Sequence, residues 1–180
     1  CLCFLFDRSL GFGLKYLYRL SNATDEYKIS YSNETTEAPI LFFGCSRCLH
    51  HYAPTIFEKE LARECYNTAD WGIKNIYYHY GLLGNILSRY TPETIIFEIH
   101  PCDWLQTPFS GTERAASLAP YCGMSEACDE MLDLSGKYWP CQLSWTYRYT
   151  GSLPNLLTGK FGSMDRSLKG WKPLLGQIGT

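Results

Sequence analysis

The stretch Ile40–Arg47, ILFFGCSR, decides how this chain is read. Its four apolar residues, Ile40 to Phe43, run without a polar interruption, the pattern of a short strand buried on both faces rather than alternating between core and water. The run stops at Gly44-Cys45-Ser46. A buried strand that ends in glycine followed by small nucleophilic side chains is how many α/β enzymes present a reactive group at the carboxyl edge of a sheet. Ser46 is therefore the first candidate nucleophile.

Working outward, Cys65-Tyr66-Asn67 reads as a second short strand and Thr94–Ile99, TIIFEI, as a third, rich in β-branched residues. Between the first two, Pro54 opens a helix through about Ala62, proline being well tolerated in a first helical turn. Between the second and third, Gly72 to Tyr90 carries apolar residues at Ile73, Ile76, Tyr77, Tyr80, Leu83, Ile86 and Leu87, a long amphipathic helix closed by Thr91-Pro92. Strand, helix, strand, helix, strand at this spacing is the pattern of parallel βαβ units.

The flanks differ. Asp7 to Leu20 has helical spacing at Leu10, Leu14, Leu17 and Tyr18, and the turn-rich SNATDEYKISYSNETTEAP that follows suggests a short strand at Tyr27 to Tyr31. Beyond Trp104 the spacing predicts helices at about 112–119, 124–133 and 141–157 with no strand between them. The expected division is a lead-in over 1–38, an α/β core over 39–104, and a helical cap or insertion over 105–180 that is truncated at its end.

At 180 residues, with 46% hydrophobic and 16% aromatic side chains, there is ample material for a core. A formal charge of -2 without clustered Lys and Arg argues against nucleic acid as a partner. The opening CLCFLF is six apolar residues, far short of the roughly 20 that span a bilayer. It reads equally as an ordinary buried terminus or as the trailing end of a membrane anchor upstream of residue 1.

Nine cysteines, an odd count, lie mostly in apolar segments and read as small hydrophobes. Cys45 and Cys48 form a CxxC followed by His50 and His51, a hint of zinc or redox chemistry. No second CxxC or HxxxH completes four ligands, so neither a metal nor another cofactor is expected. Asn22-Ala-Thr24 and Asn33-Glu-Thr35 are glycosylation sequons only in a eukaryotic secretory setting, and otherwise mark a polar surface segment.

Three blocks, each at the end of a predicted strand, resemble those of the SGNH/GDSL hydrolase superfamily, and the chain is similar to its membrane-associated branch of cell-surface polysaccharide and teichoic-acid esterase-like proteins. Gly44-Cys45-Ser46 stands where the family has Gly-Asp-Ser, which implies Ser46 as nucleophile and places Cys45 at the aspartate position. Asn67 and Gly72 stand at the spacing of the second block, whose glycine N–H helps hold the oxyanion together with the nucleophile's own N–H. If Gly72 opens the following helix, that N–H also lies at the positive end of a macrodipole. The third block, Gly-x-Asn-Asp, corresponds to His100-Pro101-Cys102-Asp103, so Asp103 matches while the poor donor Cys102 replaces the second oxyanion asparagine. The Asp-x-x-His block that carries the general base has no counterpart among His50, His51, His79 and His100, and the resemblance implies its supply from beyond Thr180. It further implies a Rossmann-like three-layer α/β/α fold with a parallel sheet, SGNH/flavodoxin-like and incomplete at its C-terminus, in the cell envelope, membrane-anchored or extracytoplasmic.

Other residues near these blocks carry two readings each. His50 and His51, four and five residues after Ser46, could approach its hydroxyl, but hydrogen bonding or packing at the rim of the site is the simpler expectation. Arg47 could hold an anionic or carbohydrate substrate, but a structural ion pair with Asp70 or Asp103 is the simpler expectation. Cys45 is a rival nucleophile only if a cation such as Arg47 lowers its pKa. His100 falls at the carboxyl end of the third strand, where ligands bind in open parallel sheets, while His79 among Tyr77, Tyr78 and Tyr80 reads as core. Tyr138, Trp139, Trp145, Tyr147 and Tyr149 suit either a sugar-binding face or packing of the cap.

The expected function is a serine esterase or acyl-transfer hydrolase acting on an ester-bearing carbohydrate or small-molecule substrate. The alternative is a catalytically inactive SGNH-like module that binds a glycan or a partner. A redox or metal protein using Cys45, Cys48 and His50 is a third reading.

Overall fold

The computed structural model describes residues 2–20, 24–73, 76–101, 114–158 and 165–174. It is a mixed α/β protein with a small parallel sheet. Its contacts gather into two compact units.

The sheet unit is formed by Glu37–Ile73, Pro92–His100 and the C-terminal segment from Asp165. Strand β1 (Ile40–Phe43) is central, with β2 (Cys65–Asn67) on one side and β3 (Thr94–Phe97) on the other, both parallel to it. Ile40 is paired with Cys65 and Thr94, and Phe42 with Asn67 and Ile96. Every residue of β1 is buried, which is why its sequence is uniformly apolar. Helix α3 (Ser46–His51) leaves β1 almost at once, and α4 (Pro54–Leu61) follows with Pro54 in its first turn. Phe42 packs against Phe57 and Tyr52 with ring centroids 4.7 and 5.8 Å apart, in a core shared with Ile40, Cys48, Leu49, Cys65 and Ala69.

The helical unit comprises the described residues of Cys1–Thr36, Lys74–Thr91 and Pro101–Met164. It contains α1 (Leu2–Leu20), α2 (Thr24–Glu34), α5 (Tyr77–Leu87), α6 (Glu126–Leu134), α7 (Tyr138–Leu143) and α8 (Leu153–Thr158), with 3-10 turns at Ala115–Tyr121 and Tyr147–Tyr149. Helices α5 and α6 approach closely at Gly84, where an added Cβ would stand 3.0 Å from Ser125 Oγ and would also run into Ala127. Ser125 caps α6 by accepting from Cys128 N at 3.2 Å. The same hydroxyl donates to Asn85 Oδ1 at 2.6 Å, and Asn85 Nδ2 donates to Asn33 Oδ1 at 2.8 Å, so one buried polar chain ties α2, α5 and α6.

Several expected elements take another form. Residues 27–31 belong to α2, not to a strand. Their alternating Tyr27, Ile29 and Tyr31 serve helical packing, with the Tyr27 and Tyr31 rings 5.8 Å apart one turn on, and with Asn33 Nδ2 donating back to Ile29 O at 2.8 Å. The helix expected from Gly72 begins at Tyr77, and Gly72 sits in a turn at φ +71. The single helix expected over 141–157 is three pieces, broken where Ser144 turns extended and again at Gly151. The stretch around 112–119 is described from residue 114, as a 3-10 turn that contains Pro120.

Among the described residues no disulfide forms: Cys45, Cys48, Cys65, Cys122, Cys128 and Cys141 are buried as thiols and Cys3 is exposed. His79 is buried, as its aromatic neighbours suggested, with Tyr78 edge-on at 5.6 Å.

Candidate functional site

Because all three strands are parallel, their carboxyl ends share one edge. The order β2-β1-β3 makes β1 the point where the chain changes direction across the sheet, which is where open α/β sheets form a crevice. Three post-strand segments meet there. Thr68 donates from both N and Oγ1 to Phe42 O, at 2.9 and 2.8 Å, Asp70 N donates to Gly44 O at 3.3 Å, and Glu98 N donates to Phe43 O at 2.8 Å.

Ser46 is the first residue of α3, half-buried, immediately past this edge. The sharp strand-to-helix passage depends on Gly44, whose φ is +153 and whose missing Cβ would lie 2.7 Å from Cys48 Cβ and 2.9 Å from Glu98 Cβ. A side chain here meets both an unfavourable backbone region and two neighbours. Gly44→Ala is therefore expected to lower stability by about 2 kcal/mol. Chemical denaturation checks this, and a variant with the parent's midpoint and slope would show the turn to be more permissive than drawn.

Glu98 organises the charge at the edge. Arg47 Nε donates to its Oε1 at 2.7 Å and Cys45 Sγ donates to its Oε2 at 3.4 Å. Burial works against ionisation of Glu98, but these two donors outweigh it and hold the carboxyl below the usual range. Burial, reinforced by the Glu98 charge, pushes the Cys45 thiol up. That disfavours the thiolate reading: the cation which would activate Cys45 is engaged by Glu98, and Cys45 acts as a hydrogen-bond donor. Arg47 thus forms an ion pair, with Glu98 as a partner that sequence reasoning missed. The available signal was a lone carboxylate breaking the apolar TIIFEI run at its carboxyl end.

Asn67 is fully buried and committed to structure. Its Nδ2 donates to Cys48 O at 3.0 Å and Tyr52 O at 2.9 Å, while its Oδ1 accepts from Ala69 N at 3.0 Å. It thereby ties the end of β2 to the carboxyl end of α3. Gly72 is exposed in its turn, so the macrodipole argument for its N–H does not hold as expected.

The histidines lie apart in role. His50 shares a face of α3 with Ser46 by its i, i+4 spacing. Its Nδ1 donates to Lys172 O at 2.6 Å, which leaves Nε2 as the acceptor nitrogen. Trp171 Nε1 donates to His50 O at 2.8 Å and Lys172 N to Leu49 O at 3.1 Å, so a strap over 169–172 crosses α3. Nothing in the turn-forming GWKP pointed to this return. His51 is exposed at the end of α3, and His100 is half-buried just past β3. Cys102 and Asp103 lie outside the described residues.

Among the described residues, no group of three or more His, Cys, Asp or Glu side chains could hold a metal ion. Cys48 belongs to the hydrophobic core and Cys45 faces Glu98, so the CxxC does not present two thiols to one ligand. The arrangement can offer a hydroxyl at the carboxyl edge, beside a guanidinium already neutralised by a carboxylate. Comparison with known protein families, with characterised proteins and with solved structures gives no match.

Proposed function

We propose that this chain carries the nucleophile side of an SGNH-type serine esterase or acyl-transfer site, on a Rossmann-like three-layer α/β/α scaffold, acting on an ester of a surface glycan or a similar substrate in the cell envelope. The observation that carries the reading is the placement of Ser46: the first residue of a helix, one sharp glycine turn past the central strand, at the point where the strand order reverses. Ser46 Oγ attacks the acyl carbon, and the Ser46 and Gly72 N–H groups receive the charge of the tetrahedral oxyanion. An unassisted serine hydroxyl is a weak nucleophile near neutral pH, so the attack requires a general base within hydrogen-bond reach of Ser46 Oγ. His50, held by Lys172 O, borders the site.

A fluorophosphonate probe applied to the full-length protein, with peptide mapping, tests this. Label is expected on Ser46 and falls to background in Ser46→Ala. A folded protein that takes no label at Ser46 supports the second reading, a non-catalytic glycan- or partner-binding module. That reading draws on Cys102, a poor donor, standing where the family has its second oxyanion asparagine.

A further inference from the structure

Helix α1 buries a single stripe of its surface among the described residues. Asp7 accepts from Ser144 Oγ at 2.6 Å and from Trp145 N and Thr146 N at 2.9 and 3.2 Å. Gly11 is buried where a Cβ would run into Trp145, Leu14 is buried, and the Tyr18 ring packs on Tyr149 at 5.7 Å. Positions 7, 11, 14 and 18 form a single line at helical spacing.

The opposite side is apolar and faces water. At roughly 100° per residue, positions 2, 5, 6, 12, 16 and 20 cluster about the line diametrically opposed to the buried stripe. Leu2, Phe6 and Phe12 are 83%, 69% and 66% exposed, and Leu5, Tyr16 and Leu20 are also exposed. Such a face amounts to several hundred Å² of apolar surface, on the order of the largest patches found on monomeric proteins. Leu10 and Leu17 extend it along one flank. Arg8, Lys15 and Arg19 fall together on the other flank, roughly 60–100° from the buried stripe.

Charge identifies the occupant. The only acidic side chain on α1 is Asp7, which points inward, and its hydrogen bonds to Ser144, Trp145 and Thr146 hold it ionised down to about pH 2. The outward charge is therefore all basic. Glu34 neutralises Arg19 through two contacts of 2.9 Å, and Arg8 turns inward, its Nη1 buried and its guanidinium stacked on Phe4 and Trp145, which leaves Lys15 as the exposed cation on this flank. A second copy of this face would bring no carboxylate to that flank, whereas an anionic lipid surface supplies both an apolar layer and negative charge at its border. With four charged residues in 19, α1 does not meet the description of a spanning helix, and no helix among the described residues is long and apolar enough to cross a membrane.

We propose that α1 is a peripheral docking helix that lies in the plane of an anionic membrane surface, seated on Leu2, Leu5, Phe6, Phe12, Tyr16 and Leu20 with Lys15 at the headgroups. This stands independently of the esterase reading.

The test is flotation of the full chain with vesicles of phosphatidylcholine alone and of equimolar phosphatidylcholine and phosphatidylserine. Binding is expected to the mixed vesicles and to be weaker on neutral ones. Phe6→Ser with Phe12→Ser weakens it by at least about a hundredfold, given the apolar area of two buried rings, and Lys15→Ala by about fivefold. These side chains are exposed, so circular dichroism should show both variants folded. Single Phe6→Trp and Tyr16→Trp variants, quenched by brominated lipid, report depth: equal shallow depths support in-plane docking, and a deep residue 6 with a dry residue 16 overturns it. Failure of folded protein to float with either vesicle also overturns it, as does self-association abolished by the double serine variant without lipid binding.

Discussion

Gly170→Ala is expected to destabilise the sheet unit by about 3 kcal/mol and to release the C-terminal strap. Gly170 stands at φ +83, and an added Cβ would collide with the Asn67 carbonyl, a backbone atom at the end of β2 that cannot swing aside as a flexible side chain could. The alternative open to the variant is detachment of the strap. That loses the bonds from Asn67 N to Lys169 O at 2.9 Å, from Lys172 N to Leu49 O at 3.1 Å, from Trp171 Nε1 to His50 O at 2.8 Å, and from His50 Nδ1 to Lys172 O at 2.6 Å. Each such bond contributes about 1 kcal/mol net. Amide hydrogen exchange reads the effect directly. Protection at Asn67 and Lys172 should fall by about a hundredfold while amides within α5 and α6 are unchanged. Parent-like protection at both positions would mean that the strap is not seated by Gly170.

Acid is expected to weaken the helical unit through His79. This imidazole is buried, and burial, helped by the neighbouring Lys28 charge, lowers its pKa from 6.5 to about 3. The native state therefore keeps His79 neutral in a range where the unfolded chain binds a proton. Its contribution is fully present above pH 6.5 and is lost progressively as pH falls from 6.5 to about 3. Each pH unit in that window costs about 1.4 kcal/mol, so the loss approaches 4–5 kcal/mol at its foot. His79→Gln removes the titration. Thermal or urea midpoints measured from pH 7 to 4 should fall less steeply for this variant than for the parent. Parallel slopes would assign the acid sensitivity to carboxylates instead.

Elements whose pattern is dictated by local physics were legible in the chain. Ile40–Phe43 and Thr94–Phe97 are strands as expected, the first an unbroken apolar run buried at every residue and the second a β-branched run at the side of the sheet, with Thr94 and Ile95 exposed. Pro54 starts a helix. Ser125 starts another near the expected 124, capped through its own hydroxyl. Misreadings fall where distant partners choose between local options. Tyr27, Ile29 and Tyr31 satisfy a period of two and also a helix whose Asn33 is recruited by Asn85, 52 residues away. Apolar periodicity continues back through Ile76 and Ile73 toward Gly72, yet Gly72 takes a left-handed turn and the helix starts at Tyr77. At the candidate site, Ser46 could be placed from the glycine turn alone. Its surroundings could not: Glu98 reaches Arg47 and Cys45 across 51 and 53 positions.

ILFFGCSR by itself determined a buried strand that ends at a glycine with a serine just past it, because burial on both faces excludes polar residues and only glycine tolerates the turn at position 44. Only the tertiary structure decided that Asn67 fastens α3, that Glu98 silences Cys45 and occupies Arg47, that residues 169–172 return to hold His50, and that one face of α1 is left in water. The reason is physical. Strand and turn preferences are settled within a few residues, whereas hydrogen-bond partners, pKa values and uncovered faces depend on which distant segments close over them.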